Sequence, residues 1–228
     1  MNVDSAMPRI VLHGLRRSVY TRIAAMTLLE KGVGFELEEV EIFGPAGAPA
    51  SHLARHPFGR IPVLQHGDFL LYETQAICRY VDESFDGPRL QPAEPAARAR
   101  MVQTIGVLDA YAYRPMVWDL VVQRAGAALR GRPADEAVIA SALPKVRVAL
   151  SALADLLADR HYFGGASLSL ADLHAYPMLA LLGLAAEGAA ALRRHDGLGA
   201  WRARMSARPS AVGTRMPYES AAGESGAS

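Results

Sequence analysis

Pro62 stands where an apolar strand has to begin, and this most constrains how the chain can fold. Ile61-Pro62-Val63-Leu64-Gln65 has a strand's composition. A proline, however, donates nothing to a hydrogen-bond ladder and is confined to edges, first positions or bulges. Two solutions are open. Either the Ile61–Pro62 bond is cis and marks a specific bend, or Pro62 is trans at a sheet edge. A cis bend would turn the backbone N–H and C=O of Ile61 toward a ligand with peptide groups of its own, which would add as an extended strand. Downstream, His66-Gly67-Asp68 reads as a hairpin turn and residues 69–72 as the returning strand. Residues 73–85 read as a helix with Ile77, Tyr80, Val81 and Phe85 on one side.

Upstream, residues 9–13 predict a first strand and Gly14-Leu15-Arg16-Arg17 a turn. A helix then starts at Ser18, with Val19, Ile23, Met26 and Leu29 at helical spacing, and ends at Lys31-Gly32. Residues 35–42 alternate apolar and acidic with a slip at Glu38-Glu39, a second strand with a bulge. Residues 51–55 form a short helical piece before the proline turn. The order βαβ then ββα gives a small mixed sheet with helices on both faces, a thioredoxin-like layout. Residues 86–95 hold three prolines and no apolar periodicity, and read as a linker. Beyond it the strand signals stop. Helices are predicted over 95–126 with a kink at Pro115, over 134–159, from Ser169, near 188–195 and over 198–206. Ser169 and Asp172 form a capping box, a folding feature. The expected organisation is a disordered 1–7, an α/β domain 8–85, the linker, an all-helical domain 96–217, and a small, polar, disordered tail 218–228.

Composition removes several classes of function. A net charge of +1 without a basic block makes nucleic acid or an anionic membrane a poor partner. The first residues lack the apolar core of a secretory signal. The longest uncharged apolar run, residues 173–186, is too short to span a bilayer. Cys78 is the single cysteine, so no internal disulfide exists, and a cytoplasmic location is expected. Cys78 falls within the helix after Glu73 and reads as buried and inert. The seven histidines show no metal-ligand spacing, so no metal is expected.

Two helix starts carry candidate chemistry. Glu73-Thr74 opens one of them. Free N–H groups there attract a carboxylate, Thr74 adds a hydroxyl, and Glu73 would take an adjacent ammonium. A ligand end with both charges is an amino-acid or γ-glutamyl end, and the alternative is a plain helix cap. Ser18 is likewise an N-cap in its simplest reading. A helix N-terminus also stabilises a thiolate, and a hydroxyl donating to sulfur there would activate a thiol without a covalent step. Ser-His-Asp hydrolysis lacks support, because no G-x-S-x-G surrounds Ser18.

Over residues 8–210 the chain resembles the cytosolic glutathione S-transferases. The resemblance rests on SVYTR followed by LLEKGVGFE, on HPFGRIPVL, on HGDFLLYETQAICRYVDE, on SLADLHAYP and on AWRARMSARPS. It implies a thioredoxin-like N-terminal domain, an all-helical C-terminal domain, a cytoplasmic homodimer, and detoxifying transfer of the glutathione thiol to an electrophile. Ser18 in S-x-x-T-R matches the activating serine of classes such as phi and theta, in the manner of a bacterial member. No cysteine there argues against the omega, beta and zeta types. Pro62 matches the family's cis-proline and Ile61 the residue whose backbone pairs with the cysteinyl part of glutathione. Glu73 and Thr74 match the Glu-Ser pair that holds the γ-glutamyl end. The phi His-Lys pair for the glycyl carboxylate is missing, since Gly47-Ala48 stands there. Arg60 is the first candidate for that contact and His52 the second. Arg16 and Arg17, where smaller residues are common, narrow or charge the mouth of the site.

The second substrate is expected between the domains, where one or two of Tyr111, Tyr113, Met116 and Trp118 face the cleft, with Tyr113 the first choice; for any one of them singly, core packing is the better reading. Glutathione is then a co-substrate and a small hydrophobic electrophile its partner. Peroxide reduction and dehalogenation are related activities of such a site. Two competing readings keep the fold and drop the chemistry: a noncatalytic binding or assembly module, and a ligandin that sequesters apolar compounds.

Overall fold

The computed structural model describes residues 8–129, 131, 133–217 and 219. The expected disorder of residues 1–7 and of the tail 218–228 lies outside these residues, apart from Glu219, whose carboxylate accepts the Met216 N–H at 3.0 Å. The chain divides into two compact units, one ending at Pro88 and the other beginning at Arg89.

The first unit is built on a four-stranded sheet in the order β2-β1-β3-β4. The strands are β1 (Ile10–Gly14), β2 (Glu36–Glu39), β3 (Val63–His66) and β4 (Phe69–Tyr72). β2 runs parallel to β1, β3 runs antiparallel to it, and β4 returns antiparallel along β3 with His66 opposite Phe69. The parallel pair needs a crossover, supplied by α1 (Val19–Glu30). The helices α2 (Ala50–Leu53) and α3 (Thr74–Ser84) complete the unit. Strand alternation divides the sheet by face. Ile10, Leu12 and Leu64 point to one side and pack with Ala24, Ala25 and Leu28 of α1 and Ile77 and Val81 of α3. Each buried Leu, Ile or Val among them contributes about 1.5–3 kcal/mol relative to exposure. The other face mixes the buried Val11 and Val63 with polar groups. His13 Nε2 meets Gln65 Oε1 at 3.0 Å, His13 Nδ1 lies 3.3 Å from Glu38, and Arg55 reaches the same Glu38 at 3.8 Å.

β2 is shorter than the alternation suggested, and β3 starts at Val63 rather than Ile61. The second difference follows from Pro62, whose ring nitrogen cannot join the ladder. Lys31 and Asp82 form a buried ion pair at 3.2 Å, and Lys31 Nζ also donates to the Pro88 carbonyl at 3.1 Å, which anchors the end of the unit. Cys78 is buried, with its sulfur accepting from Thr27 Oγ1 at 3.3 Å.

The second unit is helical. Its first helix, α4 (Pro95–Val107), is capped by Glu94, whose carboxylate accepts from the Ala96 and Ala97 N–H groups. The helix then widens into i→i+5 turns over Leu108–Ala112 and Arg114–Val122 before continuing as α5 (Gln123–Leu129). A widened helix thus takes the place of the expected kink at Pro115. Proline has no N–H for the usual bond, and wider turns are one way a helix passes such a gap. Next come α6 (Glu136–Leu157), α7 (Leu170–Leu182), α8 (Ala186–Leu192), α9 (Asp196–Ser206) and α10 (Pro209–Gly213). Asp172 organises the middle of this unit. One of its oxygens accepts from the Ser169 N–H (2.8 Å) and O–H (2.7 Å). The other accepts from the Phe163 N–H (2.9 Å) and the Trp201 indole N–H (2.8 Å). Burial pushes the Asp172 carboxyl up while these donors pull it down. Trp201 is fully buried and packs edge-on against Phe163 at 5.3 Å.

Candidate active site

The residues singled out in the first unit flank one end of the sheet: Ser18 follows the end of β1, Pro62 precedes the start of β3, and Glu73-Thr74 follow the end of β4, where His13 pairs with Val63 and Val63 with Tyr72. Ser18 is the N-cap of α1, in extended backbone, and its Oγ accepts the Thr21 N–H at 3.3 Å. Its own N–H closes the preceding turn on the Leu15 carbonyl at 2.9 Å. Ser18 is half-buried, at the positive end of a twelve-residue helix. The hydroxyl oxygen is used by the helix, and the hydroxyl hydrogen remains available to an acceptor.

The two arginines before Ser18 are both paired. Arg16 reaches Glu39 at 3.7 Å. Arg17 is ion-paired with Glu41 and lies over the Phe43 ring at 5.8 Å. Arg17 holds the Glu41 carboxyl below its usual range. Both charges on the turn before Ser18 are therefore matched by carboxylates.

The Ile61–Pro62 bond is cis. Ile61 packs with Leu15 and Val40 in a small cluster, which joins the turn carrying Ser18 to the turn carrying Pro62. His52 corrects an expectation. It is 1% exposed, its Nε2 lies 2.7 Å from the Arg60 carbonyl and its Nδ1 is buried without a hydrogen-bond partner, so burial behind the backbone sets it apart from a surface contact for a carboxylate. The Arg60 side chain is exposed and has no carboxylate partner among the described residues, in contrast to Arg16, Arg17 and Arg55.

Glu73 precedes α3 with φ 71° and makes no side-chain cap bond. A left-handed conformation at a residue with a Cβ costs about 1–3 kcal/mol and is found where the surroundings enforce it. Its carboxylate is exposed, and Thr74 beside it, the first residue of α3, is 9% exposed. His56 lies against this corner, its ring 4.6 Å from that of Tyr72. Burial pushes the His56 imidazole below the usual histidine range, and Glu73 pulls it the other way. Sequence reasoning passed over His56, because nothing local distinguishes it from a turn residue.

In the second unit Tyr111 is 69% exposed, and the half-buried Tyr113 accepts the Trp118 indole N–H at 3.0 Å. Met116 is 0% exposed, a core residue rather than a pocket wall. Its placement was read at the ordinary helical period, and i→i+5 turns rotate successive side chains by a smaller angle. Among the described residues no cluster of three or more His, Cys, Asp or Glu side chains could hold a metal ion.

Comparison with known proteins gives this geometry a family. The glutathione S-transferase N-terminal domain model matches residues 12–89, and the C-terminal domain model matches residues 110–209. Glutathione S-transferase 4 of Zea mays is 32% identical over 211 residues, covering 90% of this chain and 92% of the relative. The crystal structure of glutathione transferase F7 from Populus trichocarpa superposes with a TM-score of 0.77 at 30% identity, covering 90% of this chain and 97% of that one. Glutathione S-transferase I from mais, in complex with an atrazine glutathione conjugate, superposes with a TM-score of 0.79 at 27% identity, covering 91% and 96%. The chain belongs to the glutathione S-transferase family.

Proposed function

We propose that this chain joins the thiol of glutathione to a small hydrophobic electrophile, with Ser18 holding the sulfur as a thiolate. The observation that carries the reading is the hydrogen-bond state of Ser18. Its oxygen is occupied by the Thr21 N–H, which leaves its hydrogen for an external acceptor at the start of α1. A hydrogen bond to an anion is worth about 1.5–3 kcal/mol. A helix terminus adds roughly 0.3–1 kcal/mol. Together they lower a thiol from its ordinary value near 8.5 by about two units, enough to ionise much of it at neutral pH. The thiol proton leaves to solvent, and the sulfur lone pair forms a bond to the electrophilic carbon, from which a leaving group departs with its bonding pair or, at an activated double bond, the π pair shifts away and takes up a proton.

The remaining residues hold the peptide. Glu73 takes the ammonium of the γ-glutamyl end, while Thr74 and the N-terminal field of α3 take its carboxylate. The Ile61 backbone, beside Pro62, pairs with the cysteinyl peptide. Arg60, without a carboxylate of its own, takes the glycyl carboxylate, and His52 fixes the Arg60 backbone. Tyr111, Tyr113 and Trp118 supply contacts for the electrophile. A serine at position 18 fits a serine-type, phi-like class. The enzyme is proposed to be a cytoplasmic homodimer, and the exposed Phe58 (71%), Leu70 (42%) and Tyr72 (37%) give the first unit an apolar surface for a second copy.

Ser18→Ala tests the chemistry. It should lower kcat/KM for a model electrophile by about 100-fold, the scale set by losing one donor to a developing or full anion. It should also raise the pH midpoint of thiolate formation, followed by ultraviolet difference titration, with retention on immobilised glutathione unchanged. An unchanged midpoint refutes the role of Ser18. Absence of retention and of a thermal shift at millimolar glutathione in the unmodified protein favours the noncatalytic module. Binding of apolar compounds without turnover favours the ligandin.

A further inference from the structure

We infer that Thr21 is a positioning residue for Ser18, holding the activating hydroxyl in place from both its backbone and its side chain; this rests on the role proposed for Ser18. Thr21 is 2% exposed. Its N–H donates to Ser18 Oγ at 3.3 Å, and its Oγ1 accepts the Leu15 N–H at 3.3 Å. The Ser18 N–H to Leu15 carbonyl bond, 2.9 Å, closes the triangle. Three residues thus fix the turn that carries the hydroxyl, and Thr21 contributes to two of its three bonds.

Gly14 makes room for this arrangement. A Cβ at Gly14 would collide with Thr21 Oγ1 and lie 2.7 Å from its Cγ2. Gly14 is also the last residue of β1, and its carbonyl accepts the Val40 N–H at 2.9 Å. The Thr21 hydroxyl therefore sits directly on the strand end, and the turn is referenced to the sheet. The neighbouring side chains of the turn have partners elsewhere: Arg16 with Glu39, Arg17 with Glu41, and His13 Nε2 with Gln65. None of them replaces the Thr21 acceptor. Without that acceptor the Leu15 N–H loses its partner, and the turn is freed to move Ser18 relative to the sulfur.

The test measures the pH midpoint of thiolate formation in the enzyme–glutathione complex for Thr21→Val, Thr21→Ser, Gly14→Ala and Ser18→Ala. Thr21→Val keeps the shape and removes the acceptor. It should raise the midpoint by about half a unit, the weight of part of one hydrogen bond, with KM for glutathione changed by less than about three-fold. Thr21→Ser restores the hydroxyl and should return the midpoint to that of the unmodified enzyme. Gly14→Ala displaces the hydroxyl from the other side and should raise the midpoint as Thr21→Val does; it carries the test if Thr21→Val does not fold. The inference is overturned if Thr21→Val, or Gly14→Ala in its place, leaves the midpoint where it was, or if Thr21→Ser shifts it as far as Thr21→Val. A midpoint unmoved by Ser18→Ala overturns the role of Ser18 and this inference with it. A midpoint moved by Ser18→Ala alone overturns this inference and leaves Ser18 standing.

Discussion

The starts of α7 and α3 are built from the same chemistry, a hydroxyl and a carboxylate, and use it in opposite ways. At α7 the Asp172 carboxylate is buried and takes donors from Ser169, Phe163 and Trp201. Nothing there remains to offer a ligand, and the group ties α7 to α9 and to the loop before α7. At α3 the Glu73 carboxylate is exposed, makes no cap bond, and sits on a backbone with φ 71°. One helix start is satisfied from within and serves folding. The other is left incomplete at a cost in backbone energy, the pattern expected where the missing partner is a ligand. Ser18 at α1 lies between these extremes: its oxygen belongs to the helix and its hydrogen does not.

The largest way to break this comparison is Asp172→Ala. It strands buried N–H groups of Phe163 and Trp201 and should cost about 3–5 kcal/mol in denaturant unfolding. The folded fraction should keep its KM for glutathione. A rise in KM as large as the loss of stability would mean that the two helix starts are not separable. Glu73→Gly should act in reverse. Relief of the left-handed strain stabilises the chain by up to about 1 kcal/mol. Loss of the carboxylate should raise KM for glutathione about ten-fold. Equal KM in Glu73→Gly and the unmodified enzyme would return Glu73 to a purely structural part.

The smallest effect concerns acid. His174 in α7 is fully buried, and burial pushes its imidazole down, against the pull of Asp109 and of the Leu170 carbonyl, which accepts from Nδ1 at 2.9 Å. The folded state keeps it neutral, and the unfolded chain takes up a proton below about pH 6.5. The contribution is complete above that pH and is lost as pH falls toward the folded-state value. The slope reaches at most about 1.4 kcal/mol per pH unit, that of one proton. His174→Leu should flatten the stability profile below about pH 6.5. A profile as steep as that of the unmodified chain would place the acid sensitivity elsewhere, with His56, whose shift has the same sign, the next residue to replace.

How much of this was legible follows distance along the chain. The capping residues were readable because a cap works over three residues: Ser18 with Thr21 and Ser169 with Asp172. The hairpin at Gly67 and the helix end at Gly32, both with positive φ, were readable because glycine tolerates what other residues resist. The Trp201 bond to Asp172 spans 29 positions and leaves no local trace. The same is true of Arg17 on Glu41 and of His56 against Tyr72. Which of the four residues from Tyr111 to Trp118 would be core, and what His52 would meet, were not legible for related reasons. Helical spacing does not anticipate a widened helix, and residue type alone does not say which acceptor a histidine will find.

The sequence by itself determined the order of elements, because hydrophobic period, proline and glycine act on their immediate neighbours. It also determined which residue types stand at the helix starts. Tertiary structure decided which of those helix starts were completed by the protein and which were left open. That choice depends on donors and acceptors brought in from distant parts of the chain, and it surrounds Asp172 with four donors while leaving Glu73 exposed and without a cap bond.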